Sequence, residues 1–160
     1  MLVELRTGTA SNSKVDERAE FIKSDGTIVD LDGTSPVTFT GLGANNYYVV
    51  VRHRNHLAIM TASAIPLSSS STDYDFTTAQ SQAFGINPLS DLGGGVFGMI
   101  AGDGNGDGGV TIVDRNLVWR VQNGTIGYLP GDFDLNSGVS IVDRNLKWRV
   151  NNGKLSQVPN

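Results

Sequence analysis

The C-terminal part of the chain contains one segment written twice. GDGNGDGGVTIVDRNLVWRV begins at Gly102, and GDFDLNSGVSIVDRNLKWRV begins 29 residues later, at Gly131. In this register Val110 matches Val139, and the two RNLxWRV stretches differ at one position only. A repeated unit this short cannot bury an apolar face alone. The duplication therefore predicts two similar halves that pack against each other.

Each copy opens with an acidic, glycine-rich loop that carries side-chain oxygens at positions one, three, five and twelve. These residues are Asp103, Asn105, Asp107 and Asp114 in the first copy and Asp132, Asp134, Asn136 and Asp143 in the second. Position seven is glycine in both copies, Gly109 and Gly138, and would offer a backbone carbonyl. Calcium takes about six to eight hard oxygens, and a tight loop supplies them with this alternation. The pattern predicts two calcium sites, one in each copy.

The two loops are not equivalent at position six, where the backbone turns sharply and glycine is preferred. The first loop has Gly108 there, whereas the second has Ser137. We therefore expect the second site to be the weaker. Position nine, Thr111 and Ser140, is expected to hold a bridging water, and the apolar position eight, Val110 and Val139, predicts a short β-contact between the two loops.

The segment after each loop, VDRNLxWRVxNG, predicts a helix that ends at an Asn-Gly pair. Apolar residues recur at four-residue steps and predict a stripe that packs the two helices together: Val113, Leu117 and Val121, then Val142, Leu146 and Val150. Trp119 and Trp148 fall off this stripe. They either flank the core or present a surface to a partner.

From Leu2 to about Thr78, short runs rich in β-branched and aromatic residues alternate with turn signals. The runs are LVELR, AEFIK, PVTFTGL, NYYVVVRHR, HLAIMTASAIPL and DYDFTT, and VFGMIAG follows a Gly-rich connection. Turns at intervals of about 8 to 12 residues are typical of a β-sandwich. The sequence predicts a mainly β chain with a small α C-terminal part, divided into a β-sandwich domain at 1–100 and a tandem calcium-binding module at 101–160.

Composition excludes several functions. The net charge is −4 and the basic residues are scattered, which argues against nucleic acid as a partner. The sequence has no run of about 20 apolar residues, so we expect no membrane insertion. The absence of cysteine excludes disulfides and thiolate zinc sites. No nucleophile elbow, Cys-His pair or phosphate loop is present, so we expect no enzymatic activity.

His53 and His56 in RHRNH are the strongest remaining candidates for chemistry. In an extended strand they would lie on opposite faces, and no third metal ligand is evident, so a structural role is favoured. The alternative is that Arg52, Arg54 and the two histidines form a cationic rim for a carbohydrate or a protein partner.

The duplicated segment resembles the calcium loop-helix pair of type I dockerin modules over about residues 102–153. Aspartate rather than glutamate closes each loop, and AGD and PGD precede the two copies where an incoming helix would otherwise lie. The resemblance implies that the metal ligands are Asp103, Asn105, Asp107, Gly109 and Asp114, and Asp132, Asp134, Asn136, Gly138 and Asp143, with both glycines acting through carbonyls. Dockerins bind cohesin receptors through largely polar residues at loop positions ten and eleven.

Those positions are apolar in this chain, Ile112-Val113 and Ile141-Val142. They depart from the dockerin pattern in both copies. We expect these residues either to bind a protein partner or to dock onto the β-domain.

Nearly the whole chain is similar to a C-terminal region of secreted or cell-surface proteins of Bacteroidetes-type bacteria, in which a β-sandwich precedes dockerin-like repeats. The residues that carry this likeness include LVELR, DGTIVDLDG, YDFTT and WRVNNGKLSQVP. PVTFTGLGANNYYVVV is also similar to the prealbumin-like, Ig-like sandwich modules of bacterial surfaces. The resemblance implies an extracellular or cell-surface, noncatalytic setting, with this chain a fragment of a longer protein.

Three functions agree with these features. The first is a calcium-stabilised scaffold or filament subunit that self-assembles, with Leu2 to Arg6 as an exposed strand that pairs across chains. The second is a dockerin-type module that anchors its parent protein to a cohesin-like receptor, and the third is a carbohydrate-binding module.

Overall fold

The computed structural model describes all of residues 1–160. As predicted, the chain is mainly β with a small helical part at its C-terminal end. Nine strands form: β1 Leu2–Arg6, β2 Lys14–Ala19, β3 Phe21–Ile22, β4 Ile28–Val29, β5 Asn45–His53, β6 His56–Met60, β7 Ile65–Leu67, β8 Ser90–Gly93 and β9 Val96–Gly98. Short 3₁₀ turns lie at Ser11–Ser13 and Gln80–Gln82.

The main sheet is antiparallel and has the strand order β2-β1-β5-β6, with β7 paired to the first residues of β5. Strand β5 lies at its centre, as its continuous apolar run predicts. Tyr47, Val50 and Val51 are buried. The strands β3-β4 and β8-β9 form two separate two-stranded sheets.

Strand β1 is an interior strand, so its predicted role as an exposed edge is wrong. Leu2–Arg6 hydrogen-bonds to β2 on one side and to β5 on the other. The charged run KVDERA does not read as a strand in the sequence, yet it forms β2 and takes the edge position. Charged side chains protect a sheet edge against pairing with another chain.

Two predicted strands are absent. PVTFTGL and DYDFTT have irregular backbone. In the second segment, Asp75 Oδ1 accepts hydrogen bonds from Thr77 N and Thr77 Oγ1, both at 2.7 Å. This local side-chain turn offers the backbone an alternative to strand pairing.

Both faces of the main sheet are covered. On one face, Val51 and Ile59 pack against Ala83 and Leu89 from the long connection between β7 and β8. On the other face, Val50 and Met60 pack against Val158. Val158 belongs to residues 153–159, here called the C-terminal strap, which runs from the repeat back to the sheet.

A helical segment follows each repeated loop. The first exit helix comprises a π-helical stretch, Asp114–Trp119, and one α-helical turn, α1, Arg120–Gln122. The second comprises Asp143–Trp148 and α2, Arg149–Asn151. Neither is long or apolar enough to cross a membrane, and the same is true of every other helix.

The predicted stripe between the helices is wrong. Leu117 and Val121 are 69% and 72% exposed, and Leu146 and Val150 are 63% and 62% exposed. The stripe residues do share a face, but that face points to solvent; the buried residues of the two helical stretches are instead Asp114, Val118 and Trp119, and Asp143 and Trp148. Trp119 and Trp148 are buried instead, which settles their two predicted roles in favour of the core.

One core joins the repeat to the sheet. Leu57 of β6 clusters with Ile100, Ala101, Val110, Trp119, Phe133, Val139 and Trp148. Ile100 and Ala101, on either side of the predicted domain boundary, both belong to this cluster. The loops described below are therefore attached to the sheet through shared apolar packing.

Candidate metal centre

The carboxylates at the first and last positions of each loop are buried. Asp103 and Asp114 are 3% and 0% exposed, and Asp132 and Asp143 are 2% and 0% exposed. Removing a carboxylate from water is costly unless hydrogen bonds or an opposite charge compensate. The partners of these four groups therefore decide what the loops can hold.

The aspartate at position twelve organises its own loop. Asp114 Oδ1 accepts a hydrogen bond from Asn105 N at 3.1 Å, and its Oδ2 accepts from Thr111 N at 2.7 Å. Asp143 repeats this with Asp134 N at 3.0 Å and Ser140 N at 2.8 Å. Each closing carboxylate thus ties position three of its loop to position nine.

The hydroxyls at position nine have a protein partner. Thr111 Oγ1 donates to Asp114 Oδ2 at 3.1 Å, and Ser140 Oγ donates to Asp143 Oδ2 at 3.2 Å. This arrangement differs from the predicted water bridge. The hydroxyls hold the closing carboxylates in place.

The aspartate at position one gathers the middle of the loop. Asp103 Oδ1 and Oδ2 accept from Asp107 N at 3.1 Å and Gly108 N at 3.0 Å. Asp132 accepts from Asn136 N and Ser137 N, both at 3.0 Å. The two loops therefore share one hydrogen-bonding plan, as the sequence repeat predicts.

The carboxylates converge most closely in the second loop. One oxygen each of Asp132, Asp134 and Asp143 lie within 4.8 Å of one another, so a single cation can contact all three. In the first loop the third carboxylate comes from position five, where Asp107 accepts from Asn105 Nδ2 at 2.7 Å. The structure thus brings together an acidic group that can hold a metal ion.

Burial and like charges disfavour the ionised forms of the loop carboxylates. Burial, with Asp114 and Asp107 nearby, raises the pKa of Asp103 to about 6. Burial and the neighbouring Asp143 also raise the pKa of Asp134. A cation bound among these groups would reverse the penalty on their charged forms.

The two copies brace each other through their tryptophans. Trp119 Nε1 of the first exit helix donates to Ser140 O in the second loop at 2.6 Å, and Trp148 Nε1 donates to Thr111 O in the first loop at 2.7 Å. Each indole therefore fixes position nine of the other copy. Either loop would lose this hydrogen bond if the other copy were absent.

The predicted β-contact between the loops has a different pairing. Val110 N donates to Lys154 O at 2.9 Å, and Val139 N donates to Thr125 O at 2.9 Å. Each loop thus pairs with the chain that follows the other helix. Both valines are buried in the shared core, which explains why position eight is apolar.

Sequence reasoning missed two residues of the β5-β6 turn that contact the second loop. Asn55 Nδ2 donates to Pro130 O at 3.1 Å and to Asp132 O at 2.6 Å. Arg54 Nη2 lies 3.7 Å from Asp132 Oδ2. No local pattern marks these contacts, because they join residues more than 70 positions apart.

The Ile-Val pairs at loop positions ten and eleven face outward. Ile112 and Val113 are 50% and 39% exposed, and Ile141 and Val142 are 51% and 39% exposed. The prediction that they dock onto the β-domain is therefore wrong. They remain available to a partner.

His53 and His56 lie close together rather than on opposite faces of one strand, because the chain turns at Arg54-Asn55 and pairs His53 with His56 across β5 and β6. Their Nδ1 atoms are 3.2 Å apart, and His56 Nδ1 is 2.7 Å from Asn55 Oδ1. Burial, followed by the charge of Arg54, lowers the pKa of His53 to about 4. Burial and the neighbouring His53 lower that of His56 to about 3. Both rings are neutral at pH 7 and support the turn that carries Arg54 and Asn55.

Comparison of the chain with protein-family models, curated proteins and solved structures finds no match.

Proposed function

We propose that this chain is a noncatalytic, calcium-stabilised structural or interaction module of an extracellular or cell-surface protein, with one Ca²⁺ in each loop. The observation that carries the proposal is the burial of Asp103, Asp114, Asp132 and Asp143 at matched positions. Each carboxylate oxygen accepts a backbone N–H hydrogen bond, but Arg54 is the sole basic side chain within 4.0 Å of any of the four groups, so most of their negative charge has no charged partner. Such a charge distribution favours an added cation.

The donor set suits calcium better than zinc or copper. The ten predicted ligands, Asp103, Asn105, Asp107, Gly109, Asp114, Asp132, Asp134, Asn136, Gly138 and Asp143, offer carboxylate, amide and carbonyl oxygens and neither thiolate nor imidazole. Hard oxygens select calcium, magnesium or manganese, and calcium tolerates the flexible, many-oxygen geometry of a loop. Bound calcium would neutralise the carboxylates and stiffen both loops.

Calcium's role in this account is to lock the repeat and to hold it against the sheet. The tryptophan braces tie each loop to the opposite helix. The shared core ties both helices to Leu57 of β6. Ordering the loops therefore stabilises the packing around them.

Thermal unfolding in calcium and in chelator tests this function. At about 1,000 times the dissociation constant, each ion adds about 4 kcal/mol, so we expect calcium to raise Tm by about 10 °C or more. The double variant Asp114→Asn/Asp143→Asn should lose this response, while Asp91→Asn, on an exposed strand end, should keep it. An equal Tm of the unaltered chain in calcium and chelator contradicts the proposal.

We further propose that the outward face of the exit helices binds a protein partner. Eight apolar side chains are exposed there: Ile112, Val113, Leu117, Val121, Ile141, Val142, Leu146 and Val150. Four of them fall within residues 112–121 and four within residues 141–150, and exposed apolar residues concentrated in this way are typical of interaction surfaces. The exposed Arg120 and Arg149 favour a partner whose apolar patch has acidic residues at its edge.

A dockerin-type anchoring role is the second candidate, and the outward Ile-Val pairs favour it over carbohydrate binding. Sedimentation in calcium separates the two protein-binding modes, because a scaffold subunit self-associates whereas an anchoring module stays monomeric and binds a cohesin-like receptor. Leu117→Asp/Leu146→Asp should abolish either association and leave Tm nearly unchanged. Binding to a glycan array with no protein association would contradict both modes.

A further inference from the structure

The two loops share a hydrogen-bonding plan but differ in their charged surroundings. In the second loop, the guanidinium of Arg54 lies 3.7 Å from Asp132 Oδ2. In the first loop, no lysine or arginine lies within 4.0 Å of the matching Asp103 or of the closing Asp114. The two loops therefore differ in a way that the repeated sequence does not show: the main sheet places a positive charge beside the second loop only.

Arg54 is held in this place by contacts of its own. Its guanidinium lies over the ring of Tyr128, 3.6 Å from the ring centre, and its Nε donates to Leu129 O at 3.4 Å. The side chain is 18% exposed, so water screens its charge only partly. The positive charge is thus a fixed part of the second loop's surroundings.

The adjoining residue prevents the turn from moving away. Asn55 is fully buried, and its Nδ2 donates to two carbonyls of the chain that enters the second loop, those of Pro130 and Asp132. The β5-β6 turn therefore stays attached when an ion enters the loop. Any ion that binds there must do so beside Arg54.

We propose that Arg54 sets the calcium affinity of the second loop by weakening it, so that the two loops fill at different calcium concentrations. The inference rests on the proposed function, that both loops bind calcium. Arg54 offsets part of the negative charge of Asp132 and repels the incoming ion. The charge of the ligand set is one of the quantities that tune the affinity of such loops. In the absence of the ion, the same guanidinium stabilises the second loop.

The tryptophan braces supply a separate probe for each loop. Trp119 Nε1–H bonds to Ser140 of the second loop, and Trp148 Nε1–H bonds to Thr111 of the first. In a ¹⁵N-labelled chain, a calcium titration followed by the two indole resonances therefore reports both loops in one experiment.

We expect Arg54→Gln to tighten calcium binding at the second loop by about tenfold, since one nearby positive charge is removed. The first loop should change by less than about twofold. Glutamine retains a donor toward Leu129 O, and Arg54→Met, which also removes the charge, should give a similar gain. The matched control Arg54→Lys keeps the charge and should leave both affinities near those of the unaltered chain.

An Arg54→Gln chain that folds and binds calcium at the second loop with unchanged or lower affinity overturns the inference alone. If Arg54→Gln and Arg54→Lys tighten binding equally, charge is not the cause and the inference is also overturned. If neither indole resonance of the unaltered chain responds to calcium, the proposed function fails together with it.

Discussion

At the scale of single residues, the second loop carries backbone strain that the first avoids. At position six, Gly108 has φ +89° and Ser137 has φ +72°. At position four, Gly106 has φ +72° and Leu135 has φ +62°. A side chain in the left-handed region costs about 1–2 kcal/mol relative to the right-handed one, and glycine escapes most of this cost. The second loop is therefore less favourable at two positions.

Replacing Ser137 tests this strain. Ser137→Gly should stabilise the chain by about 0.5–1 kcal/mol, because relief of the left-handed strain exceeds the added freedom of glycine in the unfolded chain. The reciprocal change Gly108→Ser should destabilise it by about 1 kcal/mol. Urea unfolding in calcium measures both, and a loss of stability with Ser137→Gly would show that the serine hydroxyl, not the backbone, matters at this position.

The paired histidines make the fold sensitive to acid. Their pKa values lie at about 4 for His53 and about 3 for His56, below the ordinary 6.5. The unfolded chain takes up protons below pH 6.5 that the folded chain does not, so the free energy of unfolding is highest above pH 6.5 and falls as pH falls toward 4. The raised pKa of Asp103 acts in the opposite direction between about 4 and 6.

Unfolding of His53→Gln/His56→Gln across this range isolates the histidine contribution, because Asp103 is common to both proteins. The double variant should lose less stability than the unaltered chain between pH 6.5 and pH 4. Parallel pH profiles of the two proteins would contradict neutral, buried histidines.

The hydrogen-bonding plan of the loops was predictable from sequence because each loop is formed by residues that are close together along the chain. Positions one to twelve lie within a dozen residues, and the three aspartates of the second loop converge as their spacing predicts. Arg54 and Asn55 were not predictable, since their contacts with the second loop depend on where the β5-β6 turn meets a distant segment. The exposed position of Leu117 was also missed, because a four-residue apolar period shows which residues share a face and not whether that face meets the core.

At the scale of elements, the π-helical stretches decide which faces of the exit helices are buried. They turn Asp114 and Trp119 inward and Leu117 outward. The aspartate that closes the loop and the tryptophan that braces the other copy thus come from one helical face. Strand β2 was not predicted, because its charged residues lack the apolar alternation of a half-buried strand. Those same charged residues suit a solvated sheet edge.

A pair of neighbouring substitutions tests this register. Trp119→Ala should cost about 3–5 kcal/mol of unfolding free energy, since it removes a buried ring from the shared core. Leu117→Ala, two residues away, should change it by less than about 0.5 kcal/mol because Leu117 is 69% exposed. Equal losses measured by urea unfolding would mean that the helix presents a different face to the core.

At the scale of the whole molecule, the repeat and the sheet depend on each other. Leu57 of β6 belongs to the core of the repeat. The C-terminal strap passes beside the first loop and continues to the sheet, where Arg6 Nη1 donates to Pro159 O at 2.7 Å. Ser156 bridges the two regions, because its N donates to Gly108 O at 2.8 Å and its Oγ donates to Ala58 O at 3.0 Å. A substitution that destabilises either loop should therefore also lower the stability of the sheet.

The most direct test of the account is the number of calcium ions that one chain binds. Isothermal titration of the chelator-treated protein should give two ions per chain, with the second bound more weakly. Asp114→Asn and Asp143→Asn should each leave one site of substantial affinity, and Asp91→Asn should leave both. The absence of any calcium-dependent heat, with the chain folded, would contradict the central claim that these two loops, each with two buried aspartates, are calcium sites.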